Sequence, residues 1–179
     1  MATVFHNRDK MKTISFRDDI LPLKDKLFRL ALRITLNTEE AEDVVQDTMV
    51  KVWQQKENWQ RLNSVEAYCM TICRHLALDK TTQAGRRNVP LDGQAEKPSS
   101  LSAPDEIASR NERVRMIWSL MEKLPEIQRS ILQLRDVEGY SYQEIAGILQ
   151  ISDTQVKVYL HRARNFIRSE AEKIDEYGL

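Results

Sequence analysis

Ser141-Tyr142-Gln143-Glu144-Ile145-Ala146-Gly147-Ile148-Leu149-Gln150-Ile151-Ser152-Asp153-Thr154-Gln155-Val156-Lys157 contains two helix starts eleven residues apart. At each start a serine is followed three residues later by a carboxylate or an amide, Glu144 after Ser141 and Gln155 after Ser152. The hydroxyl can accept the third residue's N–H while that residue's side chain returns to the serine N–H, which satisfies two otherwise unpaired donors. Between the starts, Ile145, Ala146 and Leu149 form one apolar face, and Gln150-Ile151-Ser152-Asp153 breaks it, leaving a turn of three or four residues. Two short helices joined so tightly cannot lie flat together. The second is presented outward, as in a helix-turn-helix, with the small residue Ala146 where the two would cross.

The second helix divides by face. Val156, Leu160, Ala163 and Ile167 recur at steps of four, three and four, and are expected to pack inward. Lys157, His161, Arg164 and Arg168 follow one residue later, with Arg162 and Asn165 beside them and no acid between Asp153 and Glu170. Most basic helix faces are merely solvated. Joined to two linked capping boxes, this one points to DNA. Four or five phosphate contacts carry a salt slope of about −0.9 each, so binding would weaken on the order of a hundredfold from 50 to 200 mM salt. Such a module needs a second tether.

Upstream the period stays helical, and the predicted fold is all-α with two small helical domains joined by a flexible linker. Ile20, Leu23, Leu27, Leu30, Ala31 and Ile34 predict a helix over 16–36, with Pro22 near its start. Asn37-Thr38 reads as a cap, and Glu39 and Glu40 suit the positive end of the following helix, which runs to about Trp53. A polar loop over 54–63 precedes a helix over 64–82. The period then stops over 83–104, where Gly85, Pro90, Gly93, Pro98 and Pro104 mark a linker. Helix resumes at about Asp105, with Ile107, Val114, Ile117, Trp118, Met121 and Leu124 inward, and stops at Pro125. Another covers 126–137, and Glu138-Gly139-Tyr140 turns into the two-helix unit. The domains are placed at 16–82 and 105–172, with tails over 1–15 and 173–179.

Composition bounds the rest. The 179 residues allow one ordinary domain or two small ones, and 27 Lys plus Arg cancel 27 Asp plus Glu. No apolar run reaches a membrane span and no signal-peptide pattern opens the chain, so a cytoplasmic protein is expected. Cys69 and Cys73 sit at i,i+4, fit neither a disulfide framework nor a zinc set, and are expected to pack as thiols. No nucleophile triad or phosphate loop stands out, and no cofactor, metal or catalytic residue is expected. The 39–47 stretch holds five carboxylates with no Lys or Arg from residue 34 to 50. Asp43, Gln46, Asp47 and Val50 share one side of it, a mixture that suits docking of a basic partner as well as solvation.

The chain resembles the sigma-70 family of bacterial transcription initiation factors, in its short extracytoplasmic-function group. The likeness rests on Ala41-Glu42-Asp43-Val44-Val45-Gln46-Asp47-Thr48-Met49-Val50-Lys51-Val52-Trp53, on Leu124-Pro125-Glu126-Ile127-Gln128-Arg129, and on Glu138 to Ala146 with Val156-Lys157 and Leu160 to Arg164. It implies a non-catalytic factor whose first domain docks on core RNA polymerase, at the beta-prime coiled coil, through Asp43, Gln46, Asp47 and Val50. The beta flap, promoter DNA and an anti-sigma factor are further implied partners. The loop 54–63 and the helix after it match the segment that captures the −10 strand, which makes Lys56, Asn58, Arg61, Asn63, Arg74, Lys80, Arg86 and Arg87 the candidates there. Trp59 is read as a core anchor before a base-stacking platform. The −35 element would be read by Thr154, Gln155, Lys157, Val158, His161, Arg162, Arg164, Asn165 and Arg168, and the linker would thread through the polymerase.

The chain departs from the family pattern at several positions. Gln150 stands where the turn usually has Gly, Asp153-Thr154-Gln155 replaces a Gly-Thr, Val158-Tyr159 replaces a Ser-Arg, and His75 replaces an Asn. Two other readings stay open on sequence. A helix-turn-helix regulator acting without polymerase leaves the acidic helix unexplained, and a sigma mimic that sequesters an anti-sigma factor does not need the basic face.

Overall fold

Ile20, Leu27, Leu30, Val44, Val52 and Met70 have no exposed side-chain surface to speak of, and together they seed the core of the first domain. A computed structural model of the chain describes residues 14–87 and 112–177. The expected 16–36 helix is three pieces: a π-turn at Phe16–Ile20, a 3-10 turn at Leu21–Leu23 and helix α1 at Lys24–Thr35. Pro22, which lacks an N–H, is the second residue of the 3-10 turn and sets this break. Helix α2 spans Thr38–Gln54, and Asn37 caps it by accepting the Glu40 N–H at 3.0 Å. The expected polar loop holds a 3-10 turn at Lys56–Arg61, pinned because Trp59 is buried and its Nε1–H donates to Val52 O at 3.0 Å. Trp59 is thus a core anchor.

Helix α3 covers Val65–Arg87, so its last turn enters the expected linker. The rest of that linker, the expected helix start at Asp105 and most of the N-terminal tail lie outside the described residues. Cys69 and Cys73 are free and buried in α3, and burial pushes both thiols up to about 12. Packing, not chemistry, is their role.

The second domain is described from helix α4 at Glu112–Glu122. Pro125 caps the next helix, α5 at Glu126–Leu132, which loosens into a π-turn at Gln133–Val137. Gly139 takes φ +81°, a conformation that favours glycine. Helix α6 at Tyr142–Leu149 opens on the predicted capping box, and the hydrogen bonds from Ser141 hold the Glu144 carboxyl below its usual range. Helix α7 runs over Asp153–Tyr177, into the expected C-terminal tail. Its own box is formed reciprocally: Ser152 N–H donates to Gln155 Oε1 at 2.9 Å and Gln155 N–H to Ser152 Oγ at 3.2 Å. No strand occurs among the described residues.

Sequence periodicity did not anticipate the contact between the domains. Helix α5 and the π-turn after it pack on α1, and α6 packs on α3. Arg29 donates to Glu138 through Nε and Nη2 at 2.6 and 2.9 Å, and Lys26 donates to Glu66 at 2.7 Å. Tyr140 donates its hydroxyl proton to the same Glu66. Arg129 Nε donates to Arg33 O at 2.8 Å, and the Arg33 guanidinium stacks 4.0 Å from the Trp118 ring centre. Arg33 is only 5% exposed, and burial lowers its guanidinium to about 10.

Candidate functional site

The α2 helix turns Ala41, Val44, Val45, Thr48 and Val52 inward, which leaves Glu42, Asp43, Gln46, Asp47 and Val50 on the solvent side. Val50 is 54% exposed and Trp53, one turn on, 49%. Trp53 meets Phe16 edge-on with centroids 5.2 Å apart, and Lys56 Nζ lies 4.9 Å from its ring centre. The result is an acidic helix face ending in an exposed apolar patch. Trp53 lies on that face and is not among the docking residues expected from the sequence. Its spacing of three from Val50 is the signal that was available.

The eight residues expected at the −10 strand do not form one patch. Lys56, Asn58, Arg61 and Asn63 lie exposed on the short segment between α2 and α3. Arg74 is 13% exposed, turned toward Glu126 of the second domain at 3.6 Å. Lys80 reaches across to Asp43 at 3.1 Å, so it sits against the acidic face of α2. The side chains of Arg86 and Arg87 lie outside the described residues.

On α7 the division by face is observed: Val156, Leu160 and Ala163 are buried, with Ile167 half-buried. Thr154, Gln155, Lys157, Val158, His161, Arg162, Arg164, Asn165 and Arg168 are exposed. Several already have partners. Gln155 is held by its box, Asn165 lies 2.9 Å from His161, and Lys157 Nζ lies 5.9 Å from the Tyr142 ring centre. Arg164 is bound by two nitrogens to Asp136, and this hydrogen bonding raises its already high pKa. Gln150 takes the left-handed turn conformation at φ +56°, with its N–H on Ala146 O. The turn therefore keeps the shape that Gly would give it.

Behind α7 a cavity of about 410 Å³ opens between α4 and the π-turn, lined by Ile117, Trp118, Met121, Leu132, Val137 and Ile167. Ile117, expected inward, is exposed at its rim. Among the described residues no group of His, Cys, Asp and Glu could hold a metal ion, and no helix is long and apolar enough to cross a membrane.

The model for sigma-70 region 2 matches residues 20–87, and that for sigma-70 region 4 matches residues 115–167. This chain belongs to the sigma-70 family. The sigma factor is 30% identical over 149 residues to ECF RNA polymerase sigma factor SigL of Mycobacterium tuberculosis, covering 83% of this chain and 84% of that protein. It is 28% identical over 156 residues to ECF RNA polymerase sigma factor SigX of Bacillus subtilis, with 84% and 80% covered. The sigma factor RpoE, solved in complex with the anti-sigma factor NepR from Bartonella quintana, shares the fold with a TM-score of 0.76 at 22% identity, over 88% of this chain and 96% of that one. The chain is accordingly an ECF sigma factor that directs RNA polymerase and is not itself an enzyme.

Proposed function

We propose that this sigma factor docks on core polymerase through Asp43, Gln46, Asp47, Val50 and Trp53, and that its two domains divide the promoter. The observation that carries this is the pair of one-signed faces. The α2 face mixes carboxylates with an exposed valine and tryptophan, as a protein partner requires when apolar area is to be desolvated. The α7 face is basic and lies on the second helix of a helix-turn-helix, the element that enters the major groove. Thr154, Gln155, Lys157, Val158, His161, Arg162, Asn165 and Arg168 meet the −35 element there, and Arg164 joins them by exchanging Asp136 for phosphate.

Lys56, Asn58, Arg61 and Asn63 take the unpaired −10 strand, since a polar, cationic segment offers hydrogen bonds to base edges and charge to the backbone. Arg74, Arg86 and Arg87 are the further candidates for that strand, and Lys80 supports Asp43 on the docking side. The beta flap fits the apolar cavity behind α7 as a helix laid in a groove. An anti-sigma factor is the remaining partner, supported by the RpoE–NepR complex, and the protein acts in the cytoplasm. Reconstitution with bacterial core polymerase and a promoter library tests the reading. Start-site-specific transcripts dependent on this protein are expected; failure to bind core polymerase sinks it.

A further inference from the structure

The first two turns of α7 are the part of a recognition helix that meets base edges, and two of their side chains have narrowly limited chemistry. Gln155 is the third residue of the helix. Its Oε1 accepts the Ser152 N–H at 2.9 Å and the Ser152 hydroxyl at 3.1 Å. A backbone N–H can only donate, so the amide oxygen, not the nitrogen, must face the serine. Both lone pairs of that oxygen are then used. What Gln155 has left to offer a base is its NH2 group, a donor only.

Val158 follows three residues later, on the same side of the helix. Val156 and Leu160 to either side of it are buried, and this register leaves Val158 41% exposed. In the major groove only thymine presents an apolar group, its C5-methyl, and beside that methyl lies the O4 acceptor. Guanine shows two acceptors, adenine an acceptor and the N6 donor, and cytosine the N4 donor. A glutamine grips adenine with both amide atoms, accepting from N6 and donating to N7. The cap on α7 closes that option to Gln155, because its oxygen is taken. A donor next to an aliphatic side chain has both its counterparts on the thymine edge alone.

We propose that Gln155 and Val158 are specificity-determining residues that read one thymine of the −35 element, Val158 packing on its C5-methyl and Gln155 donating to its O4. This rests on the −35 role proposed for α7 and adds the base that the helix selects.

Promoters recovered by the holoenzyme from a library randomised at −35 supply the DNA for the test, and binding is measured with the full chain on core polymerase. Each thymine of the recovered element is replaced in turn by deoxyuridine, which lacks only the methyl group. One position is expected to lose about fourfold in affinity, the worth of one methyl kept from water. Val158→Ala should abolish that difference, whereas Arg162→Ala should weaken thymine and uracil sites alike. Gln155→Glu still accepts from Ser152 and so keeps the cap, but it exchanges the donor for an acceptor. The preference at the same position should then move from thymine towards cytosine, whose N4 donates. Comparing two bases within one variant cancels the repulsion between the new carboxylate and phosphate, and unfolding curves verify that each variant is folded. The thymine assignment is overturned if no position responds to loss of the methyl, or if Val158→Ala keeps the response. It is overturned for Gln155 if folded Gln155→Glu prefers thymine over cytosine as before. Arg162→Ala separates this failure from a larger one. If that variant loses −35 affinity while no methyl matters, the thymine reading alone falls; if binding does not depend on the −35 sequence at all, the role of α7 falls with it.

Discussion

The α2 and α7 helices are built alike: each starts from a side-chain cap, Asn37 or Ser152, and each hides an aliphatic stripe on its own domain. Their exposed faces differ in more than sign. The α2 face ends in Val50 and Trp53, large apolar side chains left half in water, and its Asp43 is tied to Lys80. The α7 face carries Lys157, Arg162 and Arg168 with a single exposed aliphatic, Val158, and one of its arginines is already paired with Asp136. Burying apolar area rewards a protein partner, whereas phosphate is reached by charge that remains hydrated. Residue type beside the charges, not the charges alone, separates the two surfaces.

The contrast can be broken most sharply on α2. Val50→Asp places a carboxylate where apolar contact is required, and affinity for core polymerase should fall about a hundredfold, as at a docking hot spot. The thermal midpoint should hardly move because Val50 is exposed; normal binding in a titration would remove the docking role from this face. On α7 the expected effect is smaller. Arg162→Ala should reduce −35 affinity by about tenfold and make the salt slope shallower by ~0.9. Arg164→Ala should change the slope less, since Asp136 already neutralises part of that charge. Equal slopes for the two variants would show that the Asp136 pairing does not persist on DNA. The smallest effect belongs to the turn that aims α7. Gln150→Gly should raise the unfolding free energy by about 1 kcal/mol or less, because a side chain in the left-handed region is strained while glycine is not. A loss of stability in a urea titration would mean that the Gln150 side chain contributes more than its strain costs.

Much of this was legible because local chemistry decided it. The capping boxes at Ser141 and Ser152, the cap at Asn37, the burial of Trp59 and the two faces of α7 each depend on residues within about one or two turns of each other. Misreadings arose where backbone or distance intervened. Phe16 to Thr35 carries one apolar period, yet Pro22 splits it into three pieces. Ile117 fits the inward pattern of α4 but faces a cavity, since periodicity selects a side of the helix without telling whether a neighbour fills it.

By itself, the sequence determined an all-helical chain of two domains with an acidic face on one and a basic face on the other, because caps and periods act over a few residues. Tertiary structure alone decided that Arg29 of the first domain meets Glu138 of the second, that Arg74 is covered, and that Lys80 sits beside Asp43. Those pairs are separated by 37 to 109 residues along the chain, and no local pattern encodes which distant charge a side chain will find. Only folding brings them within reach.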